Sequence, residues 1–108
     1  MMMKKIYLNR YITEGAKVFV GREKGKKVRS DSKIDELIQQ DKVAIIIPRD
    51  IKSINPSFLE EFIKDSVLEL GVEEFMNKVH FESEGTYDIK NDLKESIDRI
   101  IRRKNALG

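Results

Sequence analysis

The residues of this chain whose types and spacing could do chemistry are few: one histidine, two adjacent glutamates, two arginines beside a glycine turn, and one serine at a helix start. His80 alternates with Val79 and Phe81 and so faces away from them. There is no second histidine and no cysteine, so neither a zinc site nor a paired nucleophile can be assembled around it, and no catalytic and no metal-binding residue is expected. Glu60 and Glu61 are neighbours on a helix, roughly 100° apart, and cannot share a proton as a catalytic carboxylate pair must. They are expected to be surface charge. Arg22 and Arg29 flank Gly21-Arg22-Glu23-Lys24-Gly25-Lys26-Lys27-Val28-Arg29 and are the candidates for holding an anion. The spacing is not that of a phosphate-cradling loop, which ends in Gly-Lys followed by Ser or Thr, so no nucleotide cofactor, and no other, is implied. Ser57 lies in the first turn of a helix, where an added phosphate would meet the favourable end of the dipole.

These residues must be positioned by the elements around them, and the stretch from Lys42 to Leu70 organises the rest. Val43-Ala44-Ile45-Ile46-Ile47 is an apolar run of strand length, followed by a loop containing Asp50 and then by Asn55-Pro56, a cap and a first-turn proline. Phe58, Leu59, Phe62, Ile63, Val67 and Leu70 recur on one helical face, which leaves Glu60, Glu61, Lys64, Asp65 and Glu69 for the other. Upstream, Lys5–Asn9 and Lys17–Val20 are expected to pair as an opening hairpin. A glycine turn follows, with the start of a helical turn at Gly25 left open, then a short helix starting at Ser30-Asp31-Ser32 and ending near Gln40 with Ile34, Leu37 and Ile38 inward. Downstream, Gly71 ends the central helix, Val72–Asn77 makes one more turn, and Lys78–Glu82 is a strand. Asp88 caps a last helix with Ile89, Leu93, Ile97, Ile100 and Ile101 on one side. The order β-β-α-β-α-β-α predicts one α/β domain over residues 1–108, fraying at 1–4 and 105–108. Its mixed sheet of about four strands would have right-handed crossovers and helices mainly on one face.

Composition narrows the class. Charged residues are 37% of the chain but the formal net charge is only +2, which argues against a general nucleic-acid binder. The charges are segregated: Lys17, Arg22, Lys24, Lys26, Lys27 and Arg29 stand against Glu23 alone. From Phe58 to Phe75, Lys64 stands against six acids. Such a division suits a charged partner or a second copy of the chain, a homodimer. The longest apolar run, about five residues, falls far short of the roughly 20 of a membrane helix, so no membrane association and a cytoplasmic location are expected.

Taken as a unit, Ile54-Asn55-Pro56-Ser57-Phe58-Leu59-Glu60-Glu61-Phe62, Leu70-Gly71-Val72-Glu73-Glu74-Phe75 and the Val79-His80-Phe81 strand resemble the STAS-like family of small proteins. Arg22, Gly25, Val28 and Arg29 are similar to that family's Arg-x-x-Gly-x-x-apolar-Arg turn. The likeness runs from about Ile6 to Arg103. It implies a distant kinship with anti-sigma-factor antagonists, non-enzymatic α/β switches that bind a kinase-like ATPase. Two positions depart from the pattern: Ile47 and Pro48 stand where the family often has a strand-end aspartate, with Asp50 three residues on, and Pro56 stands where the antagonists carry their phosphorylated serine. Ser57 is then the remaining acceptor candidate.

The expectation is therefore a non-enzymatic protein-interaction or signalling module. It would dock a histidine-kinase-like ATPase or similar protein through the 50–65 loop and helix, using Asp50, Asn55, Ser57, Glu60, Glu61 and Asp65. The alternative is a nucleic-acid-binding accessory protein using the basic 22–29 turn and the Arg102-Arg103-Lys104 end. Few aromatics interleave with those charges, which weighs against it.

Overall fold

The most apolar stretch of the chain takes the most buried place. In the computed structural model, which describes residues 3–107, β1 (Met3–Tyr7) leads through a 3-10 turn (Leu8–Tyr11) to the short β2 (Val18–Phe19). There follow α1 (Arg22–Ser32), α2 (Ile34–Gln40), β3 (Lys42–Ile47), β4 (Ser53–Ile54), α3 (Pro56–Leu70), α4 (Val72–Lys78), β5 (Val79–Ser83) and α5 (Lys90–Leu107). β3 is the middle of a three-stranded sheet ordered β1-β3-β5, both pairings parallel, with Ile6 opposite Ile45 and Ile45 opposite Phe81. Parallel neighbours need long crossovers, and helices supply them.

All five residues from Val43 to Ile47 are buried. Val43, Ile45 and Ile47 join one core with Phe58, Phe62 and Val67 of α3, Ile34 and Ile38 of α2, and Leu93, Ile97 and Ile100 of α5. Ala44 and Ile46 point the other way, flanked in register by Lys5 and His80 and by Tyr7 and Glu82, all exposed. The helices thus cover one face of the sheet, and the result is a compact single α/β domain. Among the described residues no helix is long and apolar enough to cross a membrane.

α3 has the bounds its sequence announces. Asn55 accepts the Ser57 N–H on its side-chain oxygen at 2.8 Å, Pro56 opens the first turn, and Gly71, at φ 84°, ends the helix with its N–H on the Val67 carbonyl. Phe19, Phe58 and Phe62 meet in series as tilted pairs, with ring centroids 5.0 and 6.0 Å apart. At the last helix, Asp88 accepts the Lys90 N–H at 3.0 Å, the capping expected of it.

Five expectations about the fold are corrected. The opening hairpin does not form: β2 pairs in parallel with β4, Val18 opposite Ser53 and Phe19 opposite Ile54, as a separate two-stranded ladder. Ten residues separate β1 from β2, far more than a tight hairpin turn, and each strand pairs in parallel with a later one instead of with the other. The sheet is accordingly not a mixed one of four strands. Gly21–Arg29 is not a two-glycine turn; only Gly21, at φ 96°, makes the bend, and the helix left open at Gly25 already begins at Arg22 as α1. Gly25 is helical, and its value is space, since a Cβ there would lie 2.4 Å from the Phe58 carbonyl oxygen. Ser30-Asp31-Ser32 ends α1 rather than starting a helix, and Lys33, left-handed at φ 56°, separates α1 from α2. Finally, the termini are not wholly frayed: Met3 and Lys4 belong to β1 and α5 runs to Leu107, while residues 1, 2 and 108 lie outside the described residues.

Candidate functional site

The loops that leave the carboxyl ends of β1 and β3 face each other, the place where parallel α/β sheets commonly bind. They enclose a cleft of about 360 Å³ between Asn9, Ile12, Thr13 and Glu14 on one side and Pro48, Asp50 and Ile51 on the other. The second loop is rigidly seated. Ile51 and Ile54 are buried, the Ile51 N–H closes a turn on the Pro48 carbonyl, and the Lys52 and Asn55 N–H groups donate to the Lys17 and Phe19 carbonyls at 2.7 and 2.8 Å. Gly85 presses against its outer side, where a Cβ would lie 2.2 Å from the Arg49 carbonyl oxygen.

Asp50 and Asn55 are exposed on this loop as expected, and Ser57 is half-buried beside them. The Ser57 hydroxyl donates to the Asn55 side-chain oxygen at 2.6 Å, so the same oxygen holds both the cap and the hydroxyl. A phosphate on Ser57 would have to break the second of these bonds.

Glu60 and Glu61 are not the surface charges the helical phase suggested. They are 1% and 5% exposed, sealed by cations from two other helices. Around Glu60 gather Arg103 at 3.3 Å, Arg99 at 3.5 Å and Arg22 at 3.9 Å, and among the described residues neither of its carboxylate oxygens accepts a hydrogen bond. Glu61 meets Lys64 at 3.3 Å, Arg22 at 3.5 Å and Arg29 at 3.9 Å. Burial pushes the Glu61 carboxyl up, but the Lys64 hydrogen bond and the charges of Lys64, Lys26 and Arg29 outweigh it and hold the group below its ordinary value. α3 is flanked on both sides: α1 and α5 cover the flanks that a surface helix would leave wet.

The anion candidates Arg22 and Arg29 are consequently occupied by carboxylates of the chain itself. Arg29 also donates to the Glu61 backbone carbonyl and lies 3.6 Å from Asp65, which is exposed. Arg99 and Arg103 stand one helical turn apart on α5. Their i, i+4 spacing beside the apolar stripe was the signal that both lean over α3.

Other polar contacts were not legible at all. Ser66, fully buried, donates to Asp35 at 2.5 Å, while burial keeps the Asp35 carboxyl above its ordinary range despite that bond. The Tyr87 hydroxyl donates to Asp92, and burial together with that bond pushes the phenol well up. His80 stands exposed on the open sheet face. Among the described residues no group of three or more potential ligands is placed to hold a metal ion. No family model, no curated protein and no solved structure matches the chain.

Proposed function

We propose that the chain is a non-enzymatic interaction module of the STAS-like kind, cytoplasmic, docking a protein partner such as a histidine-kinase-like ATPase through the strand-end loop and the start of α3. The observation that carries this reading is the cleft between the 12–16 and 48–51 loops, closed at its edge by a pinned backbone and continuing into the exposed Asp50, Lys52, Ser53 and Asn55. A rigid loop loses little conformational entropy when a partner seats on it, which favours a recognition role. The covered Glu60 and Glu61 withdraw the middle of α3 from the docking surface, so the partner's footprint contracts to Asp50–Ser57. The reading keeps one part of the STAS-like expectation, α3 lying against a sheet and sharing one core with the other helices. The same ion pairs weigh against the nucleic-acid alternative, because Arg22, Arg29, Arg99 and Arg103 face carboxylates and not solvent alone.

The test is affinity capture from the native host with the wild-type chain, with Asp50→Arg/Asn55→Ala, and with Glu73→Lys/Glu74→Lys on the exposed side of α4 as a control. A protein captured by the wild type and the control but lost by the loop variant would support the reading. The same protein captured equally by all three would remove the loop from it.

A further inference from the structure

The cations of α1 leave the helix in two directions, and only one direction meets carboxylates. Lys24 and Lys27, three residues apart and therefore on one face, line a basin of about 280 Å³ together with Arg10, Tyr11, Thr13 and Ile12 of the facing segment. No carboxylate lines this basin, and among the described residues none of Arg10, Lys24 and Lys27 forms an ion pair. Asp31, further along α1, stands in the adjoining hollow and accepts the Tyr11 hydroxyl at 2.6 Å. Lys24 is steered by the Phe19 ring, with its ammonium 5.8 Å from the ring centroid.

Three like charges around a concavity repel one another, and the fold holds them there all the same: Arg10 through the 3-10 turn, the two lysines through α1. A concave surface of one sign focuses its field on whatever anion enters. The donors available are a planar guanidinium, two ammonium groups and the Thr13 hydroxyl, a set matched to several oxygens on one centre rather than to a single halide. Ile12 supplies an apolar wall, and the basin is larger than a bare oxyanion requires.

We propose that this basin binds the phosphoryl group of a small phosphorylated molecule, with Arg10, Lys24 and Lys27 neutralising the dianion and Thr13 donating to one of its oxygens. The basin shares Ile12 and Thr13 with the rim of the proposed docking cleft but takes nothing from the 48–57 loop, and it replaces Arg22 and Arg29 as the place where this chain meets an anion.

The experiment is an amide-resolved NMR titration of the full chain at low salt with three probes: inorganic phosphate, ribose 5-phosphate and a short single-stranded oligonucleotide. Saturable shifts centred on Thr13, Lys24 and Lys27, tightest for ribose 5-phosphate, are expected. Lys24→Ala/Lys27→Ala should weaken that binding at least about tenfold, as loss of charge-assisted bonds does. Lys26→Ala is the control, on the same helix but 3.7 Å from Glu23, and should change it less than about twofold. The proposal is overturned by absence of saturation below about 10 mM, far weaker than a built site gives. It is also overturned by an equal loss in Lys26→Ala, which would mean diffuse attraction, or by tightest binding of the oligonucleotide, which would make the surface a nucleic-acid one. Retained dispersion of the variant spectra shows that each still folds.

Discussion

Arg22 and Arg29 on one side of α1, Lys24 and Lys27 on the other, belong to one basic run in the sequence and end in opposite circumstances. The arginines cross to α3 and, with Arg99 and Arg103 of α5, enclose two glutamates that the apolar phase of α3 would have left in water. The lysines face the segment after β1, which brings a further cation, Arg10, and no acid to the basin. What decides the role of a charge is the element standing opposite. The arginine side holds three helices together, whereas the lysine side is free to meet something from outside the chain.

The largest expected effect is on the arginine side. Glu60 is 1% exposed, while Arg99 and Arg103 are 42% and 57% exposed, so the two halves of the cluster are unequal. Arginines that lose Glu60 can turn into solvent. A glutamate that loses its arginines stays buried, and an uncompensated buried charge costs about 3–5 kcal/mol. Arg99→Ala/Arg103→Ala should therefore lower stability in urea by about 3 kcal/mol at neutral pH, Arg22 alone remaining at 3.9 Å. Glu60→Gln, which loses no aligned hydrogen bond, should cost about 1 kcal/mol or less and should restore most of the double arginine variant. Equal losses for the two single backgrounds, with no rescue, would mean that the arginines act by packing alone.

A smaller effect concerns acid. The Glu61 carboxyl is held below its unfolded value, so it contributes stability above that value and loses it as pH falls through the folded pKa. Asp35 has the opposite sign: its carboxyl is raised, so protonation on acidification relieves the folded state. Between about pH 5 and 3, where carboxylates titrate, the urea midpoint of the wild type should fall. Glu61→Gln should flatten that fall, and Asp35→Asn should steepen it. A Glu61→Gln profile parallel to the wild type would show that other carboxylates set the acid limit.

How much of this was open to sequence reasoning depends on the range of the interaction. The bounds of α3 were legible because Asn55, Pro56 and Gly71 act within a turn of themselves, and the same holds for β3, for β5 and for the Asp88 cap. The strand partner of β2 was not, since Val18 and Phe19 alternate equally well in a hairpin or beside β4. Gly25 carried a true signal with two meanings, a turn or a close helix crossing, and only the Phe58 carbonyl opposite it chooses between them. The candidate site divides in the same way. Asp50 and Asn55 on the loop and Ser57 in the first turn of α3 are neighbours in sequence, and the Asn55–Ser57 contacts need no distant element. Glu60 and Glu61 depend on arginines some forty residues away on either side of them, and the acid-free basin depends on Arg10 meeting α1, a long-range meeting that no periodicity encodes.

The smallest expected effect is the most discriminating. Lys24→Ala/Lys27→Ala removes two cations from a concavity that repels them, and alanine is the better helix former by a few tenths of a kcal/mol per residue. Against this stands the lost contact of Lys24 with the Phe19 ring, about 0.5 kcal/mol at a partly exposed site. The opposing contributions are of similar size, so stability should stay within about 0.5 kcal/mol of the wild type. Arg29→Ala on the same helix should instead cost about 2 kcal/mol, because Arg29 is 18% exposed and its loss leaves the Glu61 carbonyl short of a donor and the Glu61 carboxylate short of a neighbouring cation. Urea midpoints of the two variants, measured side by side at pH 7, sharpen the contrast between the faces of α1. A loss above about 1.5 kcal/mol in the lysine variant would mark those lysines as structural, and the difference between an engaged face and a free one would collapse.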